Sequence, residues 1–135
     1  MATRDLHEKI GSVEFEKLFA GMLPQPIVKP GTIRKLGTAG TLKRGTLLAK
    51  SSGTGGDGKL VIFGTTAGSN ETLTADCVLC DDIEVGTTDD ENAAVYVSGH
   101  FNEDALIVAT GATIAEADRD ELRKRGILLG TVMEP

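Results

Sequence analysis

Hydrophobic positions near the N-terminus repeat with helical spacing. Phe15, Leu18, Phe19, Met22 and Leu23 stand at i, i+3, i+4, i+7 and i+8, one face of an amphipathic helix. Ser12 is placed to cap it, Glu14 and Glu16 load its first turn, and Gly21 and Pro24 close it. Such a helix of about ten residues is too short to hold alone in water. Its apolar face must therefore dock, either on its own domain or on another chain. Pro24, Pro26 and Pro30 follow, three of the four prolines in the chain. This density forbids helix and suits an extended arm or an edge strand. The expected division is an arm over residues 1–31 and a body over 32–135.

Beyond residue 31 the pattern shortens to strand length. Apolar and β-branched runs at 32–36, 46–50, 59–63, 75–80, 94–98, 106–109 and 127–132 predict strands. Turn signals separate them at 37–40, 43–45, 53–58, 64–70 and 86–92, the last holding the acidic triplet Asp89-Asp90-Glu91. Short strands at roughly ten-residue spacing predict a mainly β body, a small barrel or sandwich. One helix interrupts them, expected at 114–125. Thr113 and Glu116 have capping-box spacing. Acidic residues crowd its first turns, and Arg123, Lys124 and Arg125 its last, as the helix dipole favours. Gly126 is placed for a left-handed ending that brings Ile127 against Leu122. The helix carries few apolar residues and reads as a brace on a sheet.

Composition narrows the function more than the fold. At 135 residues the chain has the length of one domain. Seventeen glycines, 4% aromatics and no Trp suit tight turns better than an aromatic-lined cleft. The net charge of −6 argues against a broad nucleic-acid face, which needs a basic footprint. No apolar run approaches membrane-span length, and the first residues lack a signal-peptide pattern. A reducing cytosol is the expected setting, with Cys77 and Cys80 as free thiols.

Three motifs invite chemistry and none completes it. Residues 53–59 fit G-x-x-x-x-G-K, but Leu60 stands where a phosphate loop needs Ser or Thr, and a strand follows in place of a helix. Cys77-Val78-Leu79-Cys80 lies in a strand pattern, where positions three apart face opposite sides, and no second Cys pair completes a zinc site. Ser98, His100 and Asp104 or Asp118 are a trio that any chain this long offers, without a nucleophile elbow. Asp81-Asp82 lacks the surrounding pattern of a calcium loop. No enzyme, cofactor or metal is expected.

The order of these elements carries a resemblance. Residues 96–103, Tyr-Val-Ser-Gly-His-Phe-Asn-Glu, then Ala105-Leu106, then Leu122 with Arg125-Gly126-Ile127, resemble the head decoration (capsid-stabilising) proteins of lambda-like phages. Upstream, Leu42-Lys43-Arg44-Gly45-Thr46-Leu47-Leu48 and the Gly-rich middle are similar to the same family, so the likeness covers roughly residues 30–132. It implies a β-tulip type body that binds major capsid protein on the outside of the phage head as a homotrimer. The trimer would sit at three-fold positions and hold the expanded shell against DNA pressure, after assembly in the host cytoplasm. It also implies an N-terminal segment that pairs with capsid strands. Ile27, Val28 and Ile33 are then the expected capsid-facing side chains, with Phe15, Leu18, Phe19, Met22 and Leu23 as the arm's anchoring face. The helical arm departs from the best-known members and leaves open whether it touches capsid or a neighbouring protomer. Two other classes compete. A receptor- or glycan-binding module predicts an exposed aromatic or polar patch away from the arm, for which the chain offers only Tyr96 and Phe101; a small metal-binding or catalytic barrel would use Cys77, Cys80 or His100.

Overall fold

The longest strand, β8 (Glu91–Asn102), is the spine of the fold. The computed structural model describes residues 18–21 and 23–130. Preceding β8 are β1 (Phe19–Gly21), β2 (Ile27–Ile33), β3 (Gly40–Leu42), β4 (Leu47–Ser52), β5 (Leu60–Ile62), β6 (Thr72–Leu79) and β7 (Ile83–Val85). A helix, α1 (Glu116–Lys124), and β9 (Ile127–Gly130) follow it.

The N-terminal half of β8 lies between β2 and β6: Tyr96 pairs with Val28 and with Val78. Its C-terminal half lies between β1 and β9: His100 pairs with Gly21 and with Leu128. The order β8-β2-β5-β4-β6 returns to β8, so five strands close a barrel. Closure removes most of the free edge that an open sheet would expose. The closing joint between β2 and β5 is the weakest. These strands are parallel and share one register pair, Ile33 with Leu60, extended by the Arg34 N–H donating to the Leu60 carbonyl at 2.9 Å. β3 and β7 form a separate two-stranded ribbon.

The core follows the apolar pattern of the strands. Ile33, Leu47, Leu48, Val78 and Leu79 fill the barrel. Phe19, Tyr96 and Phe101 pack where β1 meets β8; Phe19 and Phe101 stack at 4.8 Å, and Tyr96 meets Phe19 edge-on at 5.3 Å. The helix lies against β6 and β9. It buries Leu122 beside Ile127, and Gly126 takes the left-handed φ of +98° that lets the chain reverse between them. Arg119 donates to both carboxylate oxygens of Glu103, at 2.6 and 2.9 Å, tying the helix to the end of β8.

Several expected boundaries move. The helix begins at Glu116, two residues later than the sequence predicts. Asp118 accepts the Ala115 N–H at 2.9 Å, so the side-chain cap comes from inside the helix and not from Thr113. The expected helical face over 12–23 gives way at Phe19–Gly21 to a strand, because Phe19 pairs and stacks with Phe101; residues 12–17 and 22 lie outside the described residues. The strand expected at 94–98 runs on to Asn102. Gly99 sits inside it at a φ of +151°, where a Cβ would stand 2.8 Å from the Phe101 ring. Residues 106–109 form a single bridge, Ile107 with Thr46, and no strand, while β3 and β7 arise inside or beside predicted turns. The expected division after residue 31 falls within β2.

The Gly-rich loop is packed. The Gly55 N–H donates to the Asn70 carbonyl at 2.8 Å, and a Cβ on Gly56 would meet the Ser52 carbonyl oxygen at 2.3 Å. The contact is backbone on backbone, so no side chain can yield. Gly56→Ala is therefore expected to cost about 1–3 kcal/mol, read as a lower urea midpoint. An unchanged midpoint would mean that this loop does not hold the packing described.

Candidate functional site

Three of the four large apolar side chains exposed among the described residues fall within six positions. Leu23 is 79% exposed, Ile27 49% and Val28 50%. Leu23 stands in the connection between β1 and β2, and Ile27 and Val28 begin β2. This strand meets β5 only at Ile33, so residues 27–32 have a ladder partner on one side, β8, and none on the other among the described residues. Pro30 has no N–H, which suits an edge. Beside the edge, Val28, Lys29, Pro30, Asn92, Ala93 and Ala94 line a shallow, mostly apolar groove of about 420 Å³. The surface thus joins an unpaired strand edge to an apolar strip. An extended peptide adding to such an edge gains main-chain hydrogen bonds and pockets for alternate side chains.

The expected contact residues separate in space. Ile27, Val28 and Leu23 are outward. Ile33 is fully buried at the β2–β5 joint, which corrects the expectation that it faces a partner: alternation and the pairing with Leu60 turn it inward. Leu18 and Phe19 are buried in the core of their own chain, so this part of the anchoring face docks at home. Phe15 and Met22 lie outside the described residues.

An ionic cluster stands at the other end of β2. The Arg34 guanidinium donates to both oxygens of Asp57 at 2.9 Å and pairs with Glu71. Glu71 also accepts from the Gly68 N–H at 2.8 Å and from the Ser51 hydroxyl, and that hydroxyl oxygen accepts from the Asp57 N–H at 3.2 Å. Next to it, Lys59 pairs with Asp90, which accepts the Lys35 N–H at 2.8 Å. The acidic triplet expected in a turn is thus partly engaged, through Asp90. Arg34 holds the Asp57 carboxyl down at about 2; hydrogen bonds from Gly68, Ser51 and then Arg34 hold Glu71 at about 2. Nothing in the sequence pointed to this cluster, since its members lie 23 and 37 residues from Arg34.

These shifts have a stability consequence. Both carboxylates titrate lower in the folded chain than in the unfolded one. Their stabilisation is complete above the ordinary carboxylate range and is lost as pH falls through it toward about 2. The urea midpoint is expected to stay level down to about pH 5 and then decline, and Glu71→Gln should flatten that decline. An equal acid decline in the variant would remove Glu71 from the effect.

The remaining candidates for chemistry differ in exposure: Cys77 is buried, Cys80, Ser98, His100 and Asp118 are half-buried, and Asp81, Asp82 and Asp104 are exposed. Burial pushes the Cys77 thiol far up; both cysteines are free. Phe101 is fully buried and Tyr96 nearly so. Ser98 donates its hydroxyl to the Gln25 carbonyl at 2.9 Å. Among the described residues no three His, Cys, Asp or Glu side chains group as a metal ion requires, and no helix is long and apolar enough to cross a membrane.

Compared with protein families, residues 25–128 match the one described as bacteriophage lambda head decoration protein D. A search of curated proteins gives no match. The matched span begins just ahead of β2 and ends within β9, so it takes in the barrel, the ribbon and the helix.

Proposed function

The chain belongs to the bacteriophage lambda head decoration protein family, a structural family of the phage capsid, and on that premise we propose how it binds. It attaches to major capsid protein on the outer surface of the expanded head, as a homotrimer at three-fold positions. There it holds the shell against the pressure of packaged DNA, after assembly in the host cytoplasm. The arm, residues 1–31, makes the contact, and Leu23, Ile27 and Val28 are its exposed apolar side chains among the described residues.

The observation that carries this reading is the unpaired apolar edge at the start of β2. A strand of capsid protein laid along residues 27–32 would satisfy the open main chain and cover Ile27 and Val28. One such edge is a small contact. Three on one rigid trimer raise the effective concentration of the second and third contacts to about the millimolar range. The net charge of −6 keeps the body soluble and away from DNA. The receptor- or glycan-binding alternative calls for an exposed aromatic or polar patch away from the arm, and the two aromatics offered for it, Tyr96 and Phe101, are buried.

Three measurements test the proposal. The full chain is expected to scatter light as a particle near three times 14.1 kDa. It is also expected to sediment with expanded empty heads and to raise the temperature at which they rupture. Heads that sediment without it would sink the reading.

A further inference from the structure

The β2–β5 joint closes the barrel with one ladder pair, yet β2 carries the proposed capsid contact at its other end. From this juxtaposition we infer that Arg34 is a latch: it fixes the root of β2 to the loops on either side of β5, so that the exposed start of the strand is presented in one register. The inference deepens the proposed function and rests on β2 being the contact strand.

The geometry supports it at each step. Arg34 directly follows Ile33, the last residue of β2. Its N–H reaches β5 through the Leu60 carbonyl, its guanidinium reaches the loop after β4 through Asp57, and it reaches the loop after β5 through Glu71. The loops are themselves interlocked, Gly55 to Asn70 by backbone, and both to the Ser51 hydroxyl, which donates to the Glu71 carboxylate and accepts from the Asp57 N–H. Asp90 holds the adjacent Lys35 N–H and the Lys59 ammonium, just ahead of β8. Four segments distant in sequence therefore meet at one guanidinium and its neighbour. A planar fork with fixed donors grips one carboxylate bidentately while reaching a second, a geometry that the point charge of a lysine does not supply. Without it, one register pair would join β2 to β5, and the strand would rely on its ladder to β8 against a pull applied at Ile27 and Val28.

The test is amide exchange together with release from heads, on the full chain. In Arg34→Met the amides of Arg34, Lys35, Asp57 and Gly68 are expected to exchange at least about tenfold faster. Those of Phe63, Leu79 and Cys80, bonded within the barrel, should keep their rates. The variant should also leave expanded heads faster than the parent. Uniform acceleration at all these amides, or none at the first four, overturns the latch. Faster local exchange with unchanged release overturns its link to the contact. Asp57→Asn is the second variant if Arg34→Met does not fold, with the same expectations. Val28→Asp serves as the control: if it too binds heads normally, the contact assigned to β2 has failed, and the exchange data then decide the latch alone.

Discussion

Phe101→Ala is expected to remove about 3–5 kcal/mol of stability, the largest loss from a single side chain in this fold. The ring is fully buried, stacks on Phe19 at 4.8 Å and tilts against Tyr96 at 5.5 Å. Around it the packing has little freedom. Gly99 lacks a Cβ where the ring lies, and β1 and β9 flank β8 at residue 101 on both sides. A cavity there cannot collapse without shifting three paired strands, so the cavity contribution adds to the lost transfer energy. Domains of this kind are stable by only about 5–15 kcal/mol, so much of the total is at stake. Urea denaturation with Phe101→Leu as the milder partner measures it. A loss under about 1 kcal/mol would show that the aromatic cluster does not anchor β1 and β9.

Replacing both Ile27 and Val28 by Asp is expected to do the reverse: abolish head binding while leaving the fold intact. Each side chain is about half exposed, so the free protein loses little buried area, and exposed substitutions usually stay within about 0.5 kcal/mol. In the proposed complex the same side chains are covered. Losing a central apolar contact of about 2 kcal/mol weakens one site about thirtyfold. In a trimer the loss recurs in each protomer, and charge is buried as well. Sedimentation with expanded heads at matched concentration reads the binding, and the urea midpoint reads the fold. Normal binding with a normal midpoint would move the contact elsewhere on the molecule. A collapsed midpoint would show that β2 depends on these side chains for its own pairing with β8.

Much of the architecture was legible because it depends on local patterns. Leu47, Leu48, Val78 and Leu79 lie in runs whose length and β-branched flanks specify strands. Gly126 after Arg125 marks a helix end by backbone sterics alone. Other elements were misread because a local rule met a stronger distant partner. Phe19 fits a helical face and yet pairs with Phe101, some eighty residues on. Gly99 carries the signature of a strand end, and it continues the strand because the space a side chain would need holds an aromatic ring. Gly40–Leu42 sits amid turn residues and becomes a strand only because Ile83–Val85 lies beside it.

The site divides in the same way. Ile27 and Val28 were legible as extended and apolar after a proline, and the structure leaves them outward. Ile33, equally apolar and in the same strand, was not distinguishable from them until Leu60 was seen beside it. The sequence by itself determined a mainly β body, one short charged helix, an acidic surface, and a family. Each follows from periodicity, composition or the order of elements, which are properties of neighbours along the chain. Only the tertiary structure decided that the barrel closes through a single pair at Ile33, that Arg34 gathers Asp57 and Glu71, and which of β2's apolar residues remain outside. Those depend on contacts across tens of residues, where pairing, burial and charge are set by segments that the chain order does not bring together.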